Sequence, residues 1–120
     1  MHLKHLARLL WNKSREIDFY FWGIPLDART GELITDKRQA TKLVLDNLLS
    51  IVEAGDGSLE TIAKVYIFLI SLEEYLILNE ECTAFFGKCK PARVISQIAV
   101  LPANTIFEMA MIVHMIEQTS

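Results

Sequence analysis

The chain has 120 residues, 52% of them apolar, with 5 Gly, 3 Pro and a formal net charge of −3, which fits one domain with a real core and excludes a disordered chain. Its basic residues are dispersed, apart from a small excess at Lys4, Arg8, Lys13 and Arg15, and this argues against a strongly electrostatic nucleic-acid binder. The longest apolar run, Val65 to Leu72, is bounded by Lys64 and too short for a bilayer, and Leu9-Leu10-Trp11 is too brief for a signal-peptide core, so the expectation is a soluble, cytoplasmic protein without a membrane partner.

Ile17 to Trp22 is aromatic and branched, predicts a strand, and stops at Gly23 and Pro25; Leu6 to Trp11 is a candidate hairpin partner across Asn12 to Glu16. Asp27 to Glu32 has turn chemistry, and Leu33-Ile34 is a candidate short strand. Asp36 with Gln39 has the form of a capping box. Behind it Ala40, Leu43, Val44, Leu48, Ile51 and Val52 recur at helical spacing up to Gly55. After the loop Gly55 to Ser58, Ile62 to Ile70 reads as a buried strand. Ser71 and Glu74 repeat the capping logic ahead of a second helix, whose stripe of Leu72, Tyr75, Leu78, Cys82, Phe85 and Phe86 ends at Gly87. Arg93 to Val100 and Thr105 to His114 are the last strand candidates, separated by Leu101 to Asn104. The pattern is α+β or α/β. Two amphipathic helices cannot cover both faces of a sheet of five or six strands, so both are expected on one face, with subunit neighbours burying the other.

Two charged residues stand out against apolar β sequence. Arg93 opens a strand-like run, and its planar, permanently charged fork suits a carboxylate held by two bonds. The plainer reading pairs it with a surface acid. With period two, Ile106, Glu108, Ala110 and Ile112 share one strand face, while Phe107, Met109, Met111 and Val113 share the other. Glu108 is the odd residue on its face: either it reaches water or a salt bridge at an edge or interface, or it acts as a general acid/base or water-positioning group. Phe21 and Trp22 read equally as sheet packing. His2, His5 and His114 give no convergent ligand set, no metal site is expected, Ser96 has no partner that sequence can place, and no Gly-rich phosphate loop is present. Cys82 and Cys89 lack ligand-type spacing and read as a reduced helix thiol and a loop thiol.

Phe85-Phe86-Gly87, then Pro91-Ala92-Arg93, Ala99, Leu101-Pro102 and a β run containing Glu108 occur in an order that resembles the reactive-intermediate deaminase family (Rid, or YjgF-type, also labelled L-PSP endoribonuclease). Ile24-Pro25-Leu26-Asp27, Thr30-Gly31-Glu32 and Leu45-Asp46-Asn47-Leu48 are similar to further segments of that family, so the resemblance runs from about Phe19 onward within a single domain, residues 1–120, whose first fifteen residues diverge. The resemblance implies a chorismate-mutase-like α+β fold with a mixed sheet of about six strands and two helices on one face, a homotrimer, and clefts between subunits. It also implies hydrolytic deamination of small 2-imino or enamine acids to 2-oxo acids and ammonia without a cofactor. Arg93 would bind the substrate carboxylate, while Glu108 and the backbone carbonyl near Ile95 would position the attacking water. The family's Ser-Gly-Gln ahead of Ile-Pro is replaced by Phe21-Trp22-Gly23, candidate pocket-wall residues, and nothing in Met1 to Arg15 matches its Gly-Pro-Tyr segment. A non-catalytic trimer binding small carboxylates is the alternative; an endoribonuclease or translation inhibitor is a second, which the acidic balance disfavours.

Overall fold

The computed structural model describes residues 15–117. They form β1 (Arg15–Gly23), α1 (Lys37–Ala54), β2 (Ile62–Leu69), α2 (Tyr75–Phe86), β3 (Ala92–Gln97) and β4 (Phe107–Glu117). The four strands make one mixed sheet in the order β1-β4-β2-β3. β4 runs antiparallel to both β1 and β2, whereas β3 lies parallel to β2, reached through α2. The fold is α+β, with both helices packed on the same sheet face through one core cluster.

Strand alternation builds that core. Val65, Ile67 and Leu69 of β2 and Phe107, Met109, Met111 and Val113 of β4 are buried, meeting Val44, Leu48 and Val52 of α1 and Leu78, Cys82 and Phe86 of α2. The i, i+4, i+8 spacing on both helices is what puts those side chains on one stripe. A β-bulge lies between Ile62 and Lys64: Ile62 pairs with Val113 and Lys64 already with Ile112. The extra residue, Ala63, lets Ile62 and Val65 both face the core although three positions separate them.

The predicted start of α1 holds: the Asp36 carboxylate accepts the Gln39 N–H at 3.0 Å. At Ser71 the outcome differs. Its hydroxyl accepts from the N–H of Glu73, at 3.2 Å, and a 3-10 turn over Leu72–Glu74 precedes α2. Glu74 instead meets Lys37 at 2.8 Å, tying the two helix starts together, and Leu72, outside the helical stripe, is 55% exposed.

The sheet of about six strands reduces to four among the described residues. Leu33-Ile34 contributes only an isolated bridge between Leu26 and Leu33. Asp27 donates its N–H to Glu32 and accepts from Gly31 at 2.8 Å each, a turn closed by Gly31 at φ +74, and Ile34 N–H reaches Pro25 O at 2.8 Å on the other side of the bridge. Leu6 to Trp11 lies outside the described residues. β3 ends at Gln97, short of Val100, which is 76% exposed on the approach to Pro102. β4 runs past His114 to Glu117 because β1 pairs with it from Met109 onward, Arg15 opposite Glu117.

Candidate active site

Arg93 stands on β3, at the edge of the sheet, directly opposite Val65 of β2. Paired residues project to the same side, so its side chain shares the helix-covered face. α2 stops just above it: Gly87 takes φ +57 and gives its N–H to Thr83 at 3.1 Å, and Cys89 N–H reaches Phe86 O at 2.9 Å. The loop then turns through Pro91 into β3. Between helix end and strand lies a cleft of about 200 Å³ lined by Thr83, Phe86, Cys89, Lys90, Pro91 and Arg93. That is below the usual range for drug-sized ligands and suits a small metabolite.

The guanidinium is half-buried. One of its terminal nitrogens donates to the side-chain oxygen of Asn79 on α2, while its Nε is buried without a hydrogen-bond partner. The nearby acids of α2 are committed elsewhere: Arg38 of α1 holds Glu80 at 2.7 Å and Glu81 at 3.1 Å. Arg93 thus keeps a full positive charge against a neutral amide, an arrangement that is costly until an anion meets it. Its charge also reaches Cys82, where burial pushes the thiol up to about 11 while Arg93 pulls it down and Glu81 pushes it up.

Sequence reasoning missed Asn79. The signal was available, since Asn79 lies one heptad before Phe86 on α2, so an amide stood where the helix turns inward.

Ile95 is two residues on from Arg93, opposite Ile67 and on the same face. Ile98 donates its N–H to Leu69 O at 2.8 Å. In a parallel ladder such bonds recur at alternate residues, so Val94 and Ser96 carry the bonds to β2 while Arg93 and Ile95 direct their N–H and C=O groups outward from the edge. The Ile95 carbonyl is therefore left open on the outer edge of the sheet, two residues along from Arg93.

Glu108 goes to the other side. It pairs with Phe68 on the face turned away from the helices, half-buried, and it has no ion pair or hydrogen bond among the described residues. Around it that face is aromatic. Tyr66 and Phe68 stack with centroids 6.2 Å apart, Tyr20 and Trp22 lie 5.6 Å apart, and Lys64 Nζ sits 5.6 Å from the Tyr66 ring centre. Trp22 pairs with Ala110, two residues from Glu108, making it the diagonal neighbour of that carboxylate. It is 62% exposed.

Phe21, by contrast, pairs with Met111 and packs on the helix side, and Gly23 faces Leu48 there, its missing Cβ 3.6 Å from that side chain. Of the three candidate wall residues only Trp22 shares the face of Glu108. Within one chain, then, Arg93 meets Asn79, Glu108 and Trp22 share the opposite face, and the sheet separates the two sets. Cys82 is buried in α2 and Cys89 lies in the loop, both as thiols. Among the described residues no group of His, Cys, Asp and Glu gathers to hold a metal ion, and no helix is long and apolar enough to cross a membrane.

Residues 18–115 match the family model for Endoribonuclease L-PSP. The chain is similar to a RutC family protein of Pyrococcus abyssi, 36% identical over 92 residues, 76% of this chain and 72% of that protein. It is also similar to TdcF of Escherichia coli, named as a proposed reactive intermediate deaminase, 32% identical over 88 residues, 71% of this chain and 68% of that one. Among solved structures, Escherichia coli TdcF with bound serine aligns at TM-score 0.74 and 29% identity over 80% of this chain and 79% of that chain. RidA from the Antarctic bacterium Psychrobacter sp. PAMC 21119 aligns at TM-score 0.76 and 29% identity over 82% and 80%.

Proposed function

The chain belongs to the L-PSP endoribonuclease family, the Rid/YjgF group, and from that footing we propose that it deaminates small 2-imino or enamine acids by hydrolysis, releasing ammonia and a 2-oxo acid. One observation carries this reading: a half-buried guanidinium in a small cleft that, among the described residues, makes its hydrogen bond to the neutral Asn79 and leaves Nε without a partner. A substrate carboxylate supplies what that cation lacks, meeting the guanidinium from the cleft. TdcF with bound serine supports a carboxylate-bearing ligand in a relative.

The chemistry then needs orientation and proton movement. The imine carbon is already electrophilic. Water held by the Ile95 carbonyl and Glu108 adds to it, giving up a proton through the carboxylate. The carboxylate passes that proton to the nitrogen, the new hydroxyl then yields its own proton to the amine as the C=O bond forms, the C–N bond breaks and ammonia leaves, with no net redox change. Because Arg93 and Glu108 lie on opposite faces of one sheet, the reading places them together only between copies: the Arg93 cleft of one subunit faces the Glu108 and Trp22 face of the next, in a homotrimer. The outward-facing backbone groups of β3 and the exposed aromatic face support such docking.

Ammonia release from freshly generated 2-iminopropanoate or 2-iminobutanoate tests the activity, and a rate no higher than buffer alone would remove it. Arg93→Ala is expected to lower kcat/KM by roughly 100-fold or more, as loss of a charge-assisted double contact does; an unchanged rate would refute the assignment. Light scattering of the intact chain reads the assembly, and a monomer that turns over would refute the shared site. A second reading, a carboxylate-binding trimer without turnover, is favoured by Phe21-Trp22-Gly23, which puts a ring where the family carries its serine and an indole where it carries a glycine; Arg93-dependent binding without ammonia release would establish it.

A further inference from the structure

Within the proposed function, and resting on it, we infer that the preferred acids carry a second carboxylate, held by Lys90. Lys90 lines the same cleft as Arg93. It has no acidic partner among the described residues; Glu60, which lines an adjoining cleft with it, makes no ion pair with it. Lys90 is exposed, and Pro91, which follows directly, confines its backbone to extended conformations.

Within one chain the cleft is therefore lined by two basic residues and no acidic one, because Glu80 and Glu81, the acids of α2 that could have neutralised it, are tied to Arg38; the Glu108 that the proposed function brings from the next subunit is the water-positioning group. The remaining wall contacts, Phe86 and Cys89, are apolar enough to carry a short methylene chain between two charged ends, and the Thr83 hydroxyl adds a polar edge. A monocarboxylic imino acid satisfies Arg93 and leaves the second cation facing solvent. A dicarboxylic one, of the type formed by oxidising an acidic amino acid, satisfies both. The division of labour follows from the side chains: the planar fork fixes the carboxylate next to the reacting carbon, and the flexible ammonium takes the distal one as a point charge.

The test compares 2-oxopentanoate with 2-oxoglutarate, which differ in the distal carboxylate, by calorimetry on the assembled full chain and on the Lys90→Gln and Arg93→Gln variants. Wild type is expected to bind 2-oxoglutarate roughly five-fold more tightly, the scale of one partly exposed ion pair. Lys90→Gln should bring that ratio close to one, and added salt should erode it in wild type alone. Equal affinities in wild type, or a preference that survives Lys90→Gln, overturn the inference while Arg93-dependent binding of 2-oxopentanoate leaves the proposed function standing. Failure of wild type to bind either acid overturns both.

Discussion

The two faces of the sheet are built from the same strands and do different work. On the helix side β4 contributes Phe107, Met109 and Met111, each fully buried, and Arg93 stands at the sheet's edge. The opposite side carries Glu108, Lys64 and a belt of aromatic rings, with Tyr20 at 50% and Trp22 at 62% exposure. A period of two lets one strand serve both ends, so folding is secured by every second residue while its neighbours stay available for recognition.

Substitutions should separate the two roles. Phe107→Ala on the helix side is expected to lose about 3–5 kcal/mol of folding stability by urea unfolding, as buried phenylalanines do; a loss below about 1 kcal/mol would mean that this face is not the core. Next comes Cys82. Burial raises its thiol from 9.0 up to about 11, so the folded chain keeps a proton there that the unfolded chain has lost. The contribution is whole below the unfolded value and is lost as pH rises through about 9 to 11, by up to roughly 2 kcal/mol. Cys82→Ala should flatten that slope, and a slope unchanged by the substitution would contradict it. A thiol reagent near neutral pH should label Cys89 while sparing Cys82; equal labelling would show α2 lifting from the sheet. The smallest effect on stability belongs to the open face: Trp22→Ser should change folding by no more than roughly 0.5 kcal/mol. Its consequence is expected in the range of acid side chains accepted, so a large loss of stability with unchanged acid preference would reverse the assignment of that ring.

Periodicity and caps carried most of the fold. Asp36 and Gly87 mark real helix ends, and the alternation in β4 placed Glu108 apart from Phe107 and Met109 before any pairing was known. What alternation could not supply was the side of the sheet taken by Arg93. A strand entered after a proline can begin on either phase, and the choice was set by register against β2, where Arg93 meets Val65. The separation of Arg93 from Glu108 was hidden for that reason. So was the isolation of the guanidinium, since it depends on Arg38 drawing off Glu80 and Glu81 across 42 and 43 residues of chain, and no local pattern announces such a pairing. At Leu33-Ile34 apolar composition was present, but the segment closes only the bridge from Leu33 back to Leu26.

The shortness of β3 has a further consequence for how copies of this chain can associate. With six residues between Pro91 and Ile98, its outer rim offers a brief docking rail whose entrance is shut by a residue that cannot donate a hydrogen bond. A rail of that kind admits one well-fitted visitor and gives no foothold for indefinite strand-by-strand growth. It is the shorter of the sheet's two borders: β1, on the far side, offers nine residues against its six.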